Sequence, residues 1–170
     1  MGLDSLWCNR PEVDFHSKNH NEGRVLTWSN VHLNKEEIQD FTHRSLGRFF
    51  IAFASVELNL SLQVGGAGKF QDKLERFYEM AIAQYPDNDI YFCEVSAWYM
   101  AADSIRNLRN RFAHGRWGFL TQAQSIVHVA GYPPDPQDER RFSLAELDSI
   151  VKDADLLGEE LFKWCEQFGG

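Results

Sequence analysis

The segment from residue 106 to residue 117, RNLRNRFAHGRW, concentrates groups that could act on a phosphodiester. It contains the arginines Arg106, Arg109, Arg111 and Arg116 together with His114. Imidazole titrates near neutral pH, whereas a guanidinium stays charged. An imidazole can take the proton from a ribose 2′-hydroxyl while a guanidinium stabilises the charge that develops at phosphorus, so this pair could cleave RNA without a metal. We therefore select His114 as a candidate acid/base and Arg109 as a candidate phosphate-stabilising group.

Helical geometry limits how these two side chains can meet. Five residues at ~100° each leave Arg109 and His114 roughly 140° apart on a regular helix. Asn110 and His114, four residues apart, do stack, so Asn110 could hydrogen-bond the imidazole and orient its ring. Gly115 could let the last turn unwind, which would allow His114 to turn toward the arginine face.

The pattern Arg109-Asn110-x-x-x-His114 resembles the R-x(4-6)-H motif of the HEPN superfamily of small α-helical proteins, in which a polar residue, often Asn, follows the Arg. The following Gly115 and the nearby Trp117 are also similar to what several of these families show. The resemblance implies catalytic roles for Arg109, Asn110 and His114 in a metal-independent endoribonuclease. Its RNA products would carry a 2′,3′-cyclic phosphate and a free 5′-hydroxyl.

The resemblance also implies a homodimer in which two motifs meet in one cleft. It further implies a toxin of a toxin–antitoxin or phage-defence system, with an antitoxin protein as a possible partner. Two other interpretations stay open: a non-catalytic dimeric helical module that binds RNA, a nucleotide or a protein partner, and a generic interaction module. Helix C-termini favour Arg and His through the helix dipole, and Ala-His-Gly is a plausible helix stop without any function.

The supporting residues are less specific. For Arg106, Arg111 and Arg116, a solvated or salt-bridged surface role competes with an RNA contact. Glu57 lies in a strongly apolar stretch and needs a partner if it is buried. We expect that partner to be an arginine of the third helix, which would position Arg106 or Arg109 from behind. A buried ion pair without function, or an exposed position, is the alternative.

Periodicity and capping signals predict the elements that position this segment. A first helix is predicted from Lys35 to about Val64, with Asn34 and Glu37 as a capping box, and a second from Lys69 to Tyr85. The third should begin after Asp87 or Asn88 and end at His114–Gly115. Ser143 and Glu146 predict the start of the last helix, which should reach about Phe168.

The predicted fold class is all-α, an up-and-down four-helix bundle with a small β-hairpin or strand insertion between the third and fourth helices. The β-prone run Ser125–Val129 lies in that insertion and is followed by a proline-rich loop. Residues 1–33 are predicted to be an irregular N-terminal arm, and residues 34–170 a HEPN-like helical domain.

Composition limits the possible partners. The chain has 17 basic and 25 acidic residues and a net charge of -8, so contact with RNA would have to be local. Neither a long apolar segment nor an export signal is apparent, which predicts a cytoplasmic protein without a membrane contact. We expect no cofactor and no metal site: His16 and His20 lack a third ligand nearby, and Gly65–Lys69 is interpreted as a helix connection rather than a phosphate loop.

Overall fold

A computed structural model describes residues 32–129 and 138–168 of the 170-residue chain. The described chain is mostly helical, with a small antiparallel sheet after the third helix. The elements are α1 (Lys35–Val64), α2 (Phe70–Gln84), α3 (Asp89–Ala113), β1 (Arg116–Leu120), β2 (Ser125–Val129), β3 (Glu139–Ser143) and α4 (Leu144–Phe168). Most of the predicted N-terminal arm and the proline-rich loop lie outside the described residues.

Local capping fixes where the helices begin. The Asn34 side chain accepts a hydrogen bond from the Glu37 amide at 3.0 Å, and the Glu37 carboxylate accepts one from the Asn34 amide at 2.7 Å. Ser143 and Glu146 form the same reciprocal pair at 2.7 and 3.1 Å, and Asn88 caps α3. Each pair satisfies amide groups that a helix start leaves without partners. The predicted starts of α1, α3 and α4 are confirmed.

All four helices contribute to one apolar core, which extends onto the sheet. Phe49 of α1 is fully buried and meets Phe112 of α3 with their ring centroids 5.1 Å apart. Phe77 of α2 contacts Trp98 of α3 at 5.3 Å, and Trp98 donates a hydrogen bond to the main chain of α4. Burial of these large rings supplies much of the apolar contribution that holds the helices together.

The contacts also give the helix directions. Phe53 of α1 contacts Phe70 at the start of α2, and Glu57, one turn later in α1, pairs with Lys73, one turn later in α2. Later residues of α1 therefore lie beside later residues of α2, and the two helices run in the same direction. The up-and-down order predicted from the sequence is wrong for this pair.

The connection between α1 and α2 explains this arrangement. From Val64 back to the level of Phe53 is about 11 residues, or roughly 16 Å at ~1.5 Å per residue. The five residues Gly65–Lys69 can extend up to ~17 Å, which is enough for the return. Gly65 and Gly66 adopt φ angles of 68° and 98°, which other residues rarely adopt, so the glycines permit the change of direction at the end of α1.

The other two helices align differently with α1. Phe49 of α1 contacts Phe112 of α3. Phe53, one turn later in α1, contacts Arg109, which lies earlier in α3, so α3 runs opposite to α1. Along α4, Asp155 pairs with Arg48 at 3.1 Å and Gly158 packs against Val56, so α4 runs in the direction of α1.

The sheet has the order β1-β2-β3, with both pairings antiparallel. The predicted strand Ser125–Val129 and its hairpin partner are confirmed, whereas β3 was not predicted. Trp117 pairs with His128, and His128 pairs with Arg140, so these three side chains share one sheet face. That face packs against Phe112 at the end of α3. The sheet thus supports the helix end that carries the Arg109–His114 motif.

Helix α1 has the length and composition of a membrane-crossing helix, with a mean hydropathy of 1.2 over its most apolar window. Core helices of water-soluble proteins meet the same criterion, so this is weak support for a membrane segment. One third (33%) of that window is buried within the protein. The absence of a membrane contact remains a prediction.

Candidate functional site

A pocket of about 340 Å³ opens between α1, α2 and α3. Its lining residues come from all three helices and from the residue that precedes α2: Phe53, Glu57, Lys69, Phe70, Gln71, Arg106, Arg109 and Asn110. Four residues selected from the sequence, Glu57, Arg106, Arg109 and Asn110, therefore meet around one cavity. His114, Arg111 and Arg116 do not line it.

Arg109 occupies the side of α3 that faces α1. Its guanidinium lies 5.7 Å from the centroid of the Phe53 ring, and its Nη1 donates a hydrogen bond to Asn110 Oδ1 at 3.3 Å. Within the described part of the chain, Arg109 makes no ion pair. A guanidinium held by an aromatic ring and an amide keeps its full charge for an anionic ligand.

The other arginines of the segment have different surroundings. Arg106 pairs with Asp103 at 2.7 Å, and Arg111 pairs with Asp138 and donates a hydrogen bond to its carbonyl at 3.2 Å. Arg116 is exposed at the start of β1. Ion pairing of Arg106 and Arg111 fits the structural alternative for these two residues, whereas a contact with RNA remains a prediction for all three.

Glu57 pairs with Lys73 of α2, with 3.4 Å between Oε1 and Nζ. The expected partner, an arginine of the third helix, is therefore wrong. The pair is asymmetric: the Lys73 side chain is 9% exposed and the Glu57 side chain 39%. The connection Gly65–Lys69 runs back along α1 and thereby places Lys73 beside Glu57. No local pattern in the sequence indicates the direction of this connection.

His114 follows the last residue of α3 and leaves the helical conformation, with φ -128° and ψ 136°. Its amide still donates to the Arg111 carbonyl at 3.2 Å, and Gly115 adopts a φ of 108°. The predicted change of backbone at this point is confirmed, and the His114 side chain is exposed. The described hydrogen bond of the Asn110 side chain is to Arg109, so the expected bond from Asn110 to the imidazole is not formed.

His128 of β2 lies near Phe112 at the end of α3, and it was not selected from the sequence. It is fully buried, its ring centroid is 4.5 Å from that of Trp117, and neither ring nitrogen has a hydrogen-bond partner. Burial lowers the pKa of His128 below its usual 6.5, and the charge of Arg111 lowers it further. The His114 main chain and the Asp138 carboxylate oppose these effects only in part, so the ring is neutral at pH 7.

Lys69 lines the pocket and was not selected as a site residue from the sequence. It is exposed and occupies the N-cap position of α2 without a side-chain hydrogen bond. From the sequence it was placed where the connection meets the second helix and was assigned no function. The sequence signal was a cation directly after a glycine-rich turn. This cation indicates a binding site only once α2 is known to begin beside Phe53 and Arg109.

No cluster of three or more potential metal-ligating side chains occurs in residues 32–129 and 138–168. His16 and His20 lie outside these ranges. The prediction of a metal-free site therefore stays a prediction.

A second cavity, of about 670 Å³, lies between α1 and α4. Ile51 and Phe162 line it and are 70% and 57% exposed, and Leu58 and Leu62 continue the apolar stripe of Ile51 along α1. At ~100° per residue, Phe53 and Glu57 lie roughly 120–160° around α1 from this stripe. The apolar surface and the Arg109 pocket are therefore on different sides of α1.

No family model, curated protein or solved structure matches this chain. The resemblance to HEPN proteins remains a prediction, carried by the motif residues and by their position at the end of the third helix.

Proposed function

We propose that this chain is a metal-independent endoribonuclease of HEPN type, built on a helical bundle with a sheet insertion. The observation that carries the proposal is the Arg109 guanidinium, which lines a pocket and has no carboxylate partner among the described residues. An unpaired cation in a protein with a net charge of -8 is suited to a local phosphate contact.

In the proposed reaction His114 takes the proton from a ribose 2′-hydroxyl, and the 2′-oxygen attacks the adjacent phosphorus. The bond from phosphorus to the 5′-oxygen breaks, and that oxygen takes up a proton from water as it leaves. The products are a 2′,3′-cyclic phosphate and a 5′-hydroxyl. Arg109 stabilises the additional negative charge on the phosphoryl oxygens during the transfer.

The RNA path follows from the order of residues along α3. Asn110 lines the pocket, and His114 follows it by one helical turn, a rise of roughly 6 Å. A phosphate at the mouth of the pocket, beside Asn110, would lie between the Arg109 side and the His114 side. The extended backbone of His114 frees its side chain from the helix surface.

We further propose a homodimer in which the C-terminal ends of two α3 helices lie at the two-fold axis. His114 and Arg116 are exposed there, and two copies would double the local positive charge. A dimer formed through the α1 stripe would instead leave the two pockets apart. The stripe is then free for a protein partner, such as the antitoxin of a cytoplasmic toxin–antitoxin or phage-defence system.

The central experiment is cleavage of single-stranded RNA in the presence of EDTA. The wild-type protein should release fragments ending in a 2′,3′-cyclic phosphate, and Arg109→Ala and His114→Ala should each remove the activity. Arg44→Ala and His43→Ala are matched controls, since both residues are exposed on α1 and line neither described pocket. Equal cleavage by wild type and both motif variants would refute the proposal.

Mixing the two inactive variants tests whether Arg109 and His114 of one active site come from different subunits. If Arg109 of one subunit acts with His114 of the other, mixed Arg109→Ala and His114→Ala dimers contain an intact site and regain activity. If both residues act within one chain, a mixed dimer contains no intact site and mixing restores nothing. Leu58→Asp on the α1 stripe should leave both the dimer and its activity unchanged.

A second function is a non-catalytic module that binds RNA or a nucleotide in the same pocket. The observation that favours it is the absence of His114 from the pocket lining. It predicts that Arg109→Ala weakens binding, whereas His114→Ala has no effect and RNA stays intact. Binding without cleavage in EDTA would select this alternative.

A further inference from the structure

The Arg109 pocket holds a second cation that the motif does not include. Lys69 lines the same cavity from the start of α2, and its side chain makes no ion pair within the described residues. The neighbouring Asp72 carboxylate accepts a hydrogen bond from the Lys69 main-chain amide at 3.3 Å. The ammonium group is therefore available to a ligand.

The remaining charges of the pocket are neutralised. Glu57 pairs with Lys73, and Arg106 pairs with Asp103. Lys69 and Arg109 are thus two cations at one cavity that have no ion-pair partner within residues 32–129 and 138–168. The positive end of the α2 helix dipole also lies on the Lys69 side, where the Asp72 carboxylate offsets part of its field.

The apolar part of the pocket limits what the ligand can be. Phe53 and Phe70 contact each other with their ring centroids 4.8 Å apart, and they are only 5% and 8% exposed. Rings buried to this degree do not offer a face on which a base can stack. Three of the six polar residues that line the pocket are cations and two are amides, which suits the sugar–phosphate backbone.

We propose that Lys69 binds the phosphate next to the one held by Arg109, so that the pocket takes two successive phosphates of single-stranded RNA. This inference rests on the proposed function, because RNA is the ligand. The two cations project from different helices, Lys69 from the start of α2 and Arg109 from late in α3. The strand therefore crosses the pocket from α3 toward α2, and Lys69 fixes its register at the cleavage site.

The first test measures binding of a fluorescent single-stranded oligoribonucleotide at several salt concentrations, with His114→Ala as the background to prevent cleavage. Lys69→Gln should weaken binding several-fold at low salt. It should also reduce the slope of log affinity against log salt by about 0.7, the value for one phosphate contact on a single strand. Lys69→Arg should restore both quantities. Lys163→Gln is the matched control, since Lys163 is exposed on the α1–α4 side.

The second test varies the ligand in the same background. A dinucleotide with one internal phosphate is compared with the same dinucleotide carrying an additional 5′- or 3′-terminal phosphate. One of the two added phosphates should strengthen binding, and Lys69→Gln should abolish that gain. A gain that persists in Lys69→Gln, or an unchanged salt slope, overturns the inference.

The two proposals fail in different ways. If Arg109→Ala weakens binding and Lys69→Gln behaves like Lys163→Gln, the second phosphate site is wrong and the nuclease proposal stands. If Lys69→Gln abolishes the increase in affinity from the added phosphate but the wild-type protein never cleaves RNA, the second phosphate site stands and the nuclease proposal is wrong. Circular dichroism of Lys69→Gln checks that the fold is retained.

Discussion

Replacing His128 with phenylalanine would show how much the buried sheet face contributes to the pH dependence of stability. The imidazole is fully buried among Trp117, Phe112 and the strands, and neither of its nitrogens is hydrogen-bonded. The charged groups near it are Arg111 and Asp138, together with its strand partner Arg140. Phenylalanine keeps a planar ring at this position and removes the titration.

The size of the effect follows from proton linkage. Because the pKa of His128 is lower in the folded chain than its ordinary 6.5, the unfolded chain takes up the proton first as the pH falls. The stability that the neutral ring contributes is fully present above about pH 6.5. It decreases as the pH falls from 6.5 toward the lower pKa of the folded chain. Each pH unit over which only the unfolded ring is protonated lowers the free energy of unfolding by about 1.4 kcal/mol.

Urea unfolding of wild type and His128→Phe at pH 7.5, 6.5 and 5.5, at constant ionic strength, measures this effect. At pH 7.5 the variant should be about as stable as wild type, because the cost of two unsatisfied nitrogens, of order 1–3 kcal/mol, is relieved while a larger ring must be fitted. As the pH falls to 5.5, the variant should gain stability relative to wild type, by at most about 1.4 kcal/mol, because 5.5 lies one pH unit below the ordinary pKa of histidine. Other titrating groups are common to both proteins and cancel in this difference.

A constant difference between wild type and His128→Phe over this pH range would refute the reasoning. It would mean that the folded protein accepts the proton on His128 as readily as the unfolded chain does. His128→Ala is a useful companion variant: it also removes the titration but leaves a cavity, so it should be less stable at every pH.

Three further predictions concern the core, the pocket and a helix start. Glu57→Gln should cost about 1–3 kcal/mol in urea unfolding, because it leaves the Lys73 ammonium buried without its partner. Lys73→Met should cost less than about 1 kcal/mol, because the more exposed Glu57 can be solvated; the reverse order would contradict the assigned burial. Phe49→Ala should lower the free energy of unfolding by about 3–5 kcal/mol, since it empties a fully buried site, and a loss below about 1 kcal/mol would argue against that core. Ser143→Ala should cost about 1 kcal/mol through loss of the α4 cap. The main-chain amide of residue 143 lowers the pKa of Glu146 most, and the Ser143 hydroxyl lowers it further. Alanine keeps the amide and removes the hydroxyl, so Ser143→Ala should raise the pKa of Glu146 only part of the way toward its usual value. NMR titration of the carboxyl group would show an unchanged pKa if the hydroxyl made no such bond.

The local sequence determined where the helices begin and end. Asn34 with Glu37, Ser143 with Glu146, and Asn88 each satisfy amides three residues away, so the signal and the structure occupy the same few positions. Apolar periodicity similarly predicted that α2, α3 and α4 are helices. Interactions of this range can be predicted because they do not depend on how the helices later pack.

The candidate site was predictable only in part. The spacing of Arg109, Asn110 and His114 is local, and so is the break in the helix at His114, which Gly115 indicated. The partner of Glu57 was assigned to the wrong helix. That assignment depended on which helix lies beside α1 at this level, and periodicity does not contain this information.

Strand β3 shows a related limit. Glu139, Arg140 and Arg141 are charged and exposed, and only Phe142 is buried in this five-residue strand. A strand with one inward apolar residue has too little alternation to be recognised. Pairing with β2 determines its conformation.

Tertiary structure alone decided three features: the parallel course of α1 and α2, the pairing of Lys73 with Glu57, and the meeting of Lys69 with Arg109 in one pocket. All three follow from the five-residue return after Val64, which places the start of α2 beside Phe53 rather than beside the end of α1. The sequence by itself determined the helices and the motif, since those depend on neighbours within one or two turns. Contacts between distant segments depend on the direction of each connection, which is fixed only when the helices bury their apolar faces against one another.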